Sequence, residues 1–189
     1  MSSVQAVSMN LAVQKANEAF KAMQTWPHWS EIARGAEKEY GMSREEFNEV
    51  VPEYQRFMAL SAAFPGLGML GERIDILWHS HILNTIRYRE FCDQFIGRMI
   101  DHLPCSSYAI YNCSLDDARG DMCNIPSSCT DPFPAPPDPS PTPSRYEQMR
   151  TSILEGSSRF ITAYTQVYGS ALPAHLWERA SLIAEGIAC

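Results

Sequence analysis

The stretch DPFPAPPDPSPTPS, residues 131–144, carries seven of the chain's thirteen prolines and limits the fold more than any other feature. Proline lacks an amide hydrogen and fixes φ, so a run this dense excludes both an internal helix and a central strand. It predicts an extended, polyproline-like linker or surface strap. Cys105, Cys113, Cys123 and Cys129 fall just upstream, so residues 103–144 read as one Pro/Cys-rich irregular insert. The core has to come from what flanks it.

Both flanks have helical periodicity. Val13, Ala16, Phe20 and Met23 share a stripe near the start. SEIARGAEKEYG begins at Ser30, a good N-cap, and stops at Gly41. SREE, residues 43–46, has the form of a capping box in which Ser43 accepts from the third helical amide and Glu46 reaches back. Pro52 is expected to interrupt the helix that follows or, the favoured reading, to open a new one at its first turn. Tyr54, Phe57, Met58 and Ser61 then recur at helical spacing until FPGLG breaks the pattern. After the insert, Tyr146, Met149, Ile153, Phe160, Tyr164 and Val167 line another stripe, ended by Gly169. Pro173 is placed to open a last helix through Trp177 toward Ile187. No alternation of strand type stands out. The expected fold is all-α, a single-domain bundle of about five to seven helices around the insert. Residues 1–102 would supply the N-terminal helices and a histidine-rich core segment, and residues 145–189 would pack back on the same core.

With 15 Lys and Arg against 22 Asp and Glu, the formal net charge is −7. Nothing supplies the cationic footprint that nucleic acid requires, and the same balance disfavours anionic membranes. No apolar run reaches the roughly 18–20 residues of a membrane span, and the start lacks the basic flank of a secretory signal. A cytoplasmic protein with a small-molecule or peptide partner is expected. Persistent disulfides are disfavoured in that setting, although four cysteines in one insert could staple it. Cys92, inside a helical pattern, reads as a buried small hydrophobe.

Residues 73–104, RIDILWHSHILNTIRYREFCDQFIGRMIDHLP, hold three of the five histidines. With 74–83 as one helix, Asp75 and His79 share a face, so the carboxylate can orient the imidazole. His79 and His81 lie about 200° apart around that helix, so a common ion would need a distorted helix or a second segment. Asn84 and Thr85 can cap a new helix. Beyond them Tyr88, Cys92, Phe95, Met99 and His102 share an apolar face, which directs His102 toward the core. An unbroken helix over 85–102 would put His102 about 25 Å from its start, too far to join His79 and His81 within one chain. A homodimer that brings His102 of one chain to His81 of the other would evade that distance. The plainer readings are that Trp78 anchors the core and that the histidines are capped or hydrogen-bonded.

YQRFMALSAAFPG followed by IDILWHSHILNTIRYREFCDQFIGRMIDHLP resembles the conserved region of the glycine-rich domain-containing protein-like family. Its pattern is matched at Asp75, Trp78, His79, His81, Leu83, Thr85, Tyr88, Cys92, Gly97, His102 and Pro104. Asp101 stands where a first histidine is usual, which thins any ligand set there. YTQVYGSALPAHLW is similar to that family's closing segment. The resemblance implies an all-helical fold and a shared polar site more than an activity.

Three functions are carried forward. The first is a histidine-based metal or catalytic site: His79, His81 and His102 as ligands, Asp75 orienting His79, and Tyr88 or Cys92 lining the pocket. Neutral imidazoles suit Zn, Cu or Fe. Zinc would imply hydrolysis or lyase chemistry, and a redox metal an oxidative reaction on a small or peptidic substrate. The second is a non-catalytic helical interaction module in which the proline-rich strap is the docking surface. The third, a thiol-redox protein, lacks a C-x-x-C pair.

Overall fold

The structure, a computed structural model, describes residues 3–102 and 145–180, with side chains from 5–102 and 155–180. The described residues give six helices: α1 (Ser3–Gln24), α2 (Trp29–Tyr40), α3 (Arg44–Ala63), α4 (Glu72–Leu83), α5 (Thr85–Phe95) and α6 (Arg145–Tyr168). Among the described residues there is no strand, and the fold is all-α as expected. No helix there is long and apolar enough to cross a membrane. The 103–144 insert, its four cysteines and Cys189 lie outside the described residues.

Most helix ends follow from local chemistry. Gly41 closes α2 in the left-handed conformation at φ 68°, its amide donating to the Glu37 carbonyl. Only glycine takes that turn without strain. The hydroxyl of Ser43 accepts from the Glu46 amide at 3.1 Å, the first half of the expected box. The second half is not made, because Glu46 pairs instead with Arg73 at the start of α4. The start of α2 also differs from expectation. The helix begins at Trp29, one residue before Ser30, after His28, whose ring bonds Glu31 at 2.8 Å.

Pro52 does not open a helix; it sits inside α3. Burial outweighs its lost hydrogen bond, since Phe47, Val50, Glu53, Tyr54, Phe57 and Met58 are all buried around it. This helix is the spine of the fold, packing on α1, α2 and α4. α2 lies along α4 closely enough that a Cβ on Gly35 would stand 3.0 Å from the Ser80 hydroxyl.

The described residues up to 100 and from 148 form one compact unit. Within it α6 packs on α3 through Phe160 and Phe57, with ring centroids 5.7 Å apart. Tyr164 of α6 donates its hydroxyl hydrogen to the Glu53 carboxylate at 3.0 Å, and Trp177 donates its indole N–H to the same oxygen at 2.8 Å. Arg56 pairs with the other oxygen of Glu53 and lies over the rings of Phe20 and Tyr168. A carboxylate only 3% exposed is thereby matched with a cation and two neutral donors. Residues 173–177 make a single turn, Leu176 and Trp177 both donating to the Pro173 carbonyl.

Candidate metal centre

The helix that carries the histidine pair is fixed at both ends. At its start the Glu72 amide donates to the Glu178 carboxylate at 2.6 Å, and the Arg179 amide donates to the Leu70 carbonyl at 3.2 Å. At its end Asn84 caps α5, its side chain accepting from the Arg87 amide. α4 buries Ile74, Leu77, Trp78 and His81 and leaves Asp75 and His79 half-buried on another face. Trp78 is the core anchor its size suggests, donating its indole N–H to the Tyr88 hydroxyl at 3.0 Å.

Asp75 and His79 stand one turn apart, as their spacing requires, with Oδ2 and Nε2 at 3.8 Å. Tyr40, at the end of α2, lies beside the His79 ring, centroid to centroid 6.5 Å. The reach from α5 is where the structure overturns the sequence argument. α5 stops at Phe95, and the amides of Ile96 and Gly97 both donate to the Cys92 carbonyl. Gly97 takes φ 82°, which turns the chain away from the helix axis. The Tyr88 hydroxyl then donates to the Ile100 carbonyl at 2.6 Å and pins the returning segment. Met99 is 46% exposed and not on a buried helical stripe, and His102, two residues beyond the pinned Ile100, is half-buried.

One ligand atom from each of Asp75, His79 and His102 lies within 4.8 Å of the other two. Donors that share one ion at ~2.0–2.2 Å are roughly 3.0–3.5 Å apart. Closing the cluster on a metal therefore takes a contraction of about an ångström, within the reach of side-chain rotation.

His81 is elsewhere. It is fully buried in a box of rings, with centroids at 5.2 Å from Trp26, 5.1 Å from Tyr88 and 5.0 Å from Phe91. Its Nδ1 is 2.9 Å from the Tyr54 hydroxyl, which has no other partner among the described residues. Burial holds Tyr54 protonated by raising its pKa, so the hydroxyl donates and the ring carries its own proton on Nε2. That nitrogen makes no hydrogen bond of ordinary geometry. Desolvation lowers the ring pKa to about 3, with the Arg87 backbone offsetting a little. His81 is a neutral core histidine on the opposite side of α4 from His79.

Tyr88 is the buried joint between Trp78 and Ile100 and supports the segment that carries His102. Cys92 is buried and unpaired, and burial raises its thiol pKa, away from thiolate chemistry. His28 and His175 each bond a carboxylate, of Glu31 and Glu49, far from this cluster in sequence. Tyr40 carries no signal of this role in the sequence, because nothing in the spacing of α2 points to α4.

These features define an all-helical protein with a half-buried cluster of two imidazoles and one carboxylate. A family model described as UCP032817-like matches residues 18–114, just over half the chain, and the chain belongs to that family. The match takes in α2 through α5 and all three clustered residues. It replaces the expected glycine-rich domain-containing protein-like family: the short Trp-His-x-His signature that suggested that family lies wholly inside the UCP032817-like region. No curated protein and no solved structure matches the chain.

Proposed function

We propose that this protein binds a transition-metal ion through Asp75, His79 and His102. The observation that carries the reading is the convergence of three ligand-capable atoms within 4.8 Å, from residues 27 positions apart at the extremes. Two neutral imidazoles and a carboxylate suit Zn, Fe or Cu better than Ca or Mg. Three protein donors in a half-buried position leave coordination sites for water or substrate, as catalytic centres do and closed structural sites do not. Bound there, zinc would activate water for hydrolytic or lyase chemistry, and a redox metal would serve an oxidation of a small or peptidic substrate.

Elemental analysis of protein purified without a nickel column, followed by titration with Zn²⁺ and Co²⁺, tests this. One equivalent of metal is expected, with affinity falling at least tenfold in His79→Ala and in His102→Ala. Wild type that takes up no stoichiometric metal, or unchanged affinity in both variants, removes the reading.

A further inference from the structure

A half-open groove of about 690 Å³ runs between α2 and α4, a volume ordinary for a small-molecule site. Leu83, 63% exposed, supplies its apolar lining, and Ile32 lies buried beneath it. The Ser80 hydroxyl faces it and donates to the Ile32 carbonyl over a long 3.4 Å. The floor is set by the close approach of Gly35 to Ser80, where a side chain at residue 35 would press against the hydroxyl.

The charges around the groove are matched with one exception. Arg87 holds Glu31 with two nitrogens, at 2.9 and 3.2 Å, and His28 adds a third contact. Lys38 and Glu39 pair at 3.0 Å. Arg34, exposed on the same wall, has no ion pair or hydrogen bond among the described residues. A lone guanidinium beside apolar surface calls for one planar anion, which it grips bidentately. Phosphate fits less well, because the Glu31 and Glu39 carboxylates border the groove and repel a dianion more than a monoanion.

We infer that the α2–α4 groove binds a small aliphatic carboxylic acid, its carboxylate on the Arg34 guanidinium and its chain along Leu83. The site stands apart from the proposed metal and needs none. Titration of the full chain with acetate, butanoate and hexanoate, at constant ionic strength and with EDTA present, keeps carboxylate–metal contacts out of the measurement. Saturable amide shifts at Gly35, Ser80 and Leu83 are expected. Affinity should rise roughly two- to threefold per added methylene and fall about tenfold in Arg34→Gln, an exposed helical position where the fold is kept. Hexylammonium should give no saturable shift. Hexanoate binding no tighter than acetate, unchanged binding in Arg34→Gln, or sulfate binding more tightly than hexanoate would each overturn the inference.

Discussion

Glu53→Ala should be among the most destabilising substitutions of a polar residue in this protein. The carboxylate sits between α3 and α6, taking hydrogen bonds from Tyr164 and Trp177 on one oxygen and pairing with Arg56 on the other. Alanine leaves both neutral donors without an acceptor, and each is only 1% exposed, so water cannot replace the lost oxygen. An orphaned buried donor costs about 1–3 kcal/mol. The Arg56 side chain is 31% exposed and recovers part of its solvation, so it adds less. The sum is about 3–5 kcal/mol, the range for breaking a buried pair from one side. For a chain of this size that lowers Tm by roughly 6–20 °C.

Urea unfolding followed by far-ultraviolet circular dichroism is the assay, with the slope against denaturant checked to be that of wild type. Glu53→Gln keeps one acceptor oxygen but turns an amide donor toward Arg56 or toward the two neutral donors, so an intermediate loss is expected. Glu53→Leu combined with Arg56→Met removes both charges but leaves the Tyr164 and Trp177 donors without an acceptor, so most of the deficit should remain. A Glu53→Ala cost below about 1 kcal/mol at unchanged slope would refute the reasoning, because it would mean that the donors find other acceptors.

Burial makes His81 a source of acid sensitivity. Its pKa is about 3 in the fold and about 6.5 in an unfolded chain, so between those values the unfolded state binds a proton that the folded state refuses. Its contribution is constant above pH 6.5 and falls with pH below it, by about 2 kcal/mol at pH 5. Urea midpoints at pH 7.5 and 5.0 should show that loss in wild type and not in His81→Leu, whose stability is lower at both. Gly97→Ala should cost about 1–2 kcal/mol, since φ is 82° there, and should also weaken metal uptake by displacing His102. Thermal melts and Co²⁺ titration of that variant read the two effects separately. Gly71→Ala should cost about 2–3 kcal/mol, because the new Cβ would stand 2.3 Å from the Leu176 carbonyl oxygen and force the loop before α4 off the C-terminal segment. Normal melting of that variant would contradict the packing described.

The helices were legible because each carries its own period and its own stop. Gly41, Ser43, Asn84 and Gly169 mark boundaries by local rules that need no knowledge of the rest of the chain. Pro52 was misread for the complementary reason. A local rule ends a helix there, while the decision belongs to side chains from α1, α2 and α4 that bury α3 on both sides of it. Glu53 shows the same limit from the polar side. Its acceptor role depends on Tyr164 and Trp177, 111 and 124 residues away, and no spacing within α3 announces them.

The candidate centre was half legible, and what separated the halves is range. Asp75 and His79 follow from helix geometry alone, and the same geometry sets His81 on the other side of α4, where it is sealed against Trp26 and Tyr54. An unbroken α5 over 85–102 would hold His102 out of reach of His79, and Gly97 is the residue that prevents it. A left-handed residue does more than bend a helix. It ends the ladder, and the chain that follows is free to return along whatever partner can hold it. Here the partner is Tyr88, whose hydroxyl takes the Trp78 indole hydrogen and gives its own to the Ile100 carbonyl. Tyr88 therefore acts at a distance, as the strut that carries His102 back toward α4. Tyr88→Phe separates these parts: it should cost about 1–2 kcal/mol for the orphaned indole and carbonyl, and it should weaken metal binding while Asp75 and His79 stay in place. A thermal melt of the metal-free variant and its titration with Co²⁺ read the two effects separately; a variant that melts lower yet binds metal as wild type would show that His102 needs no such support.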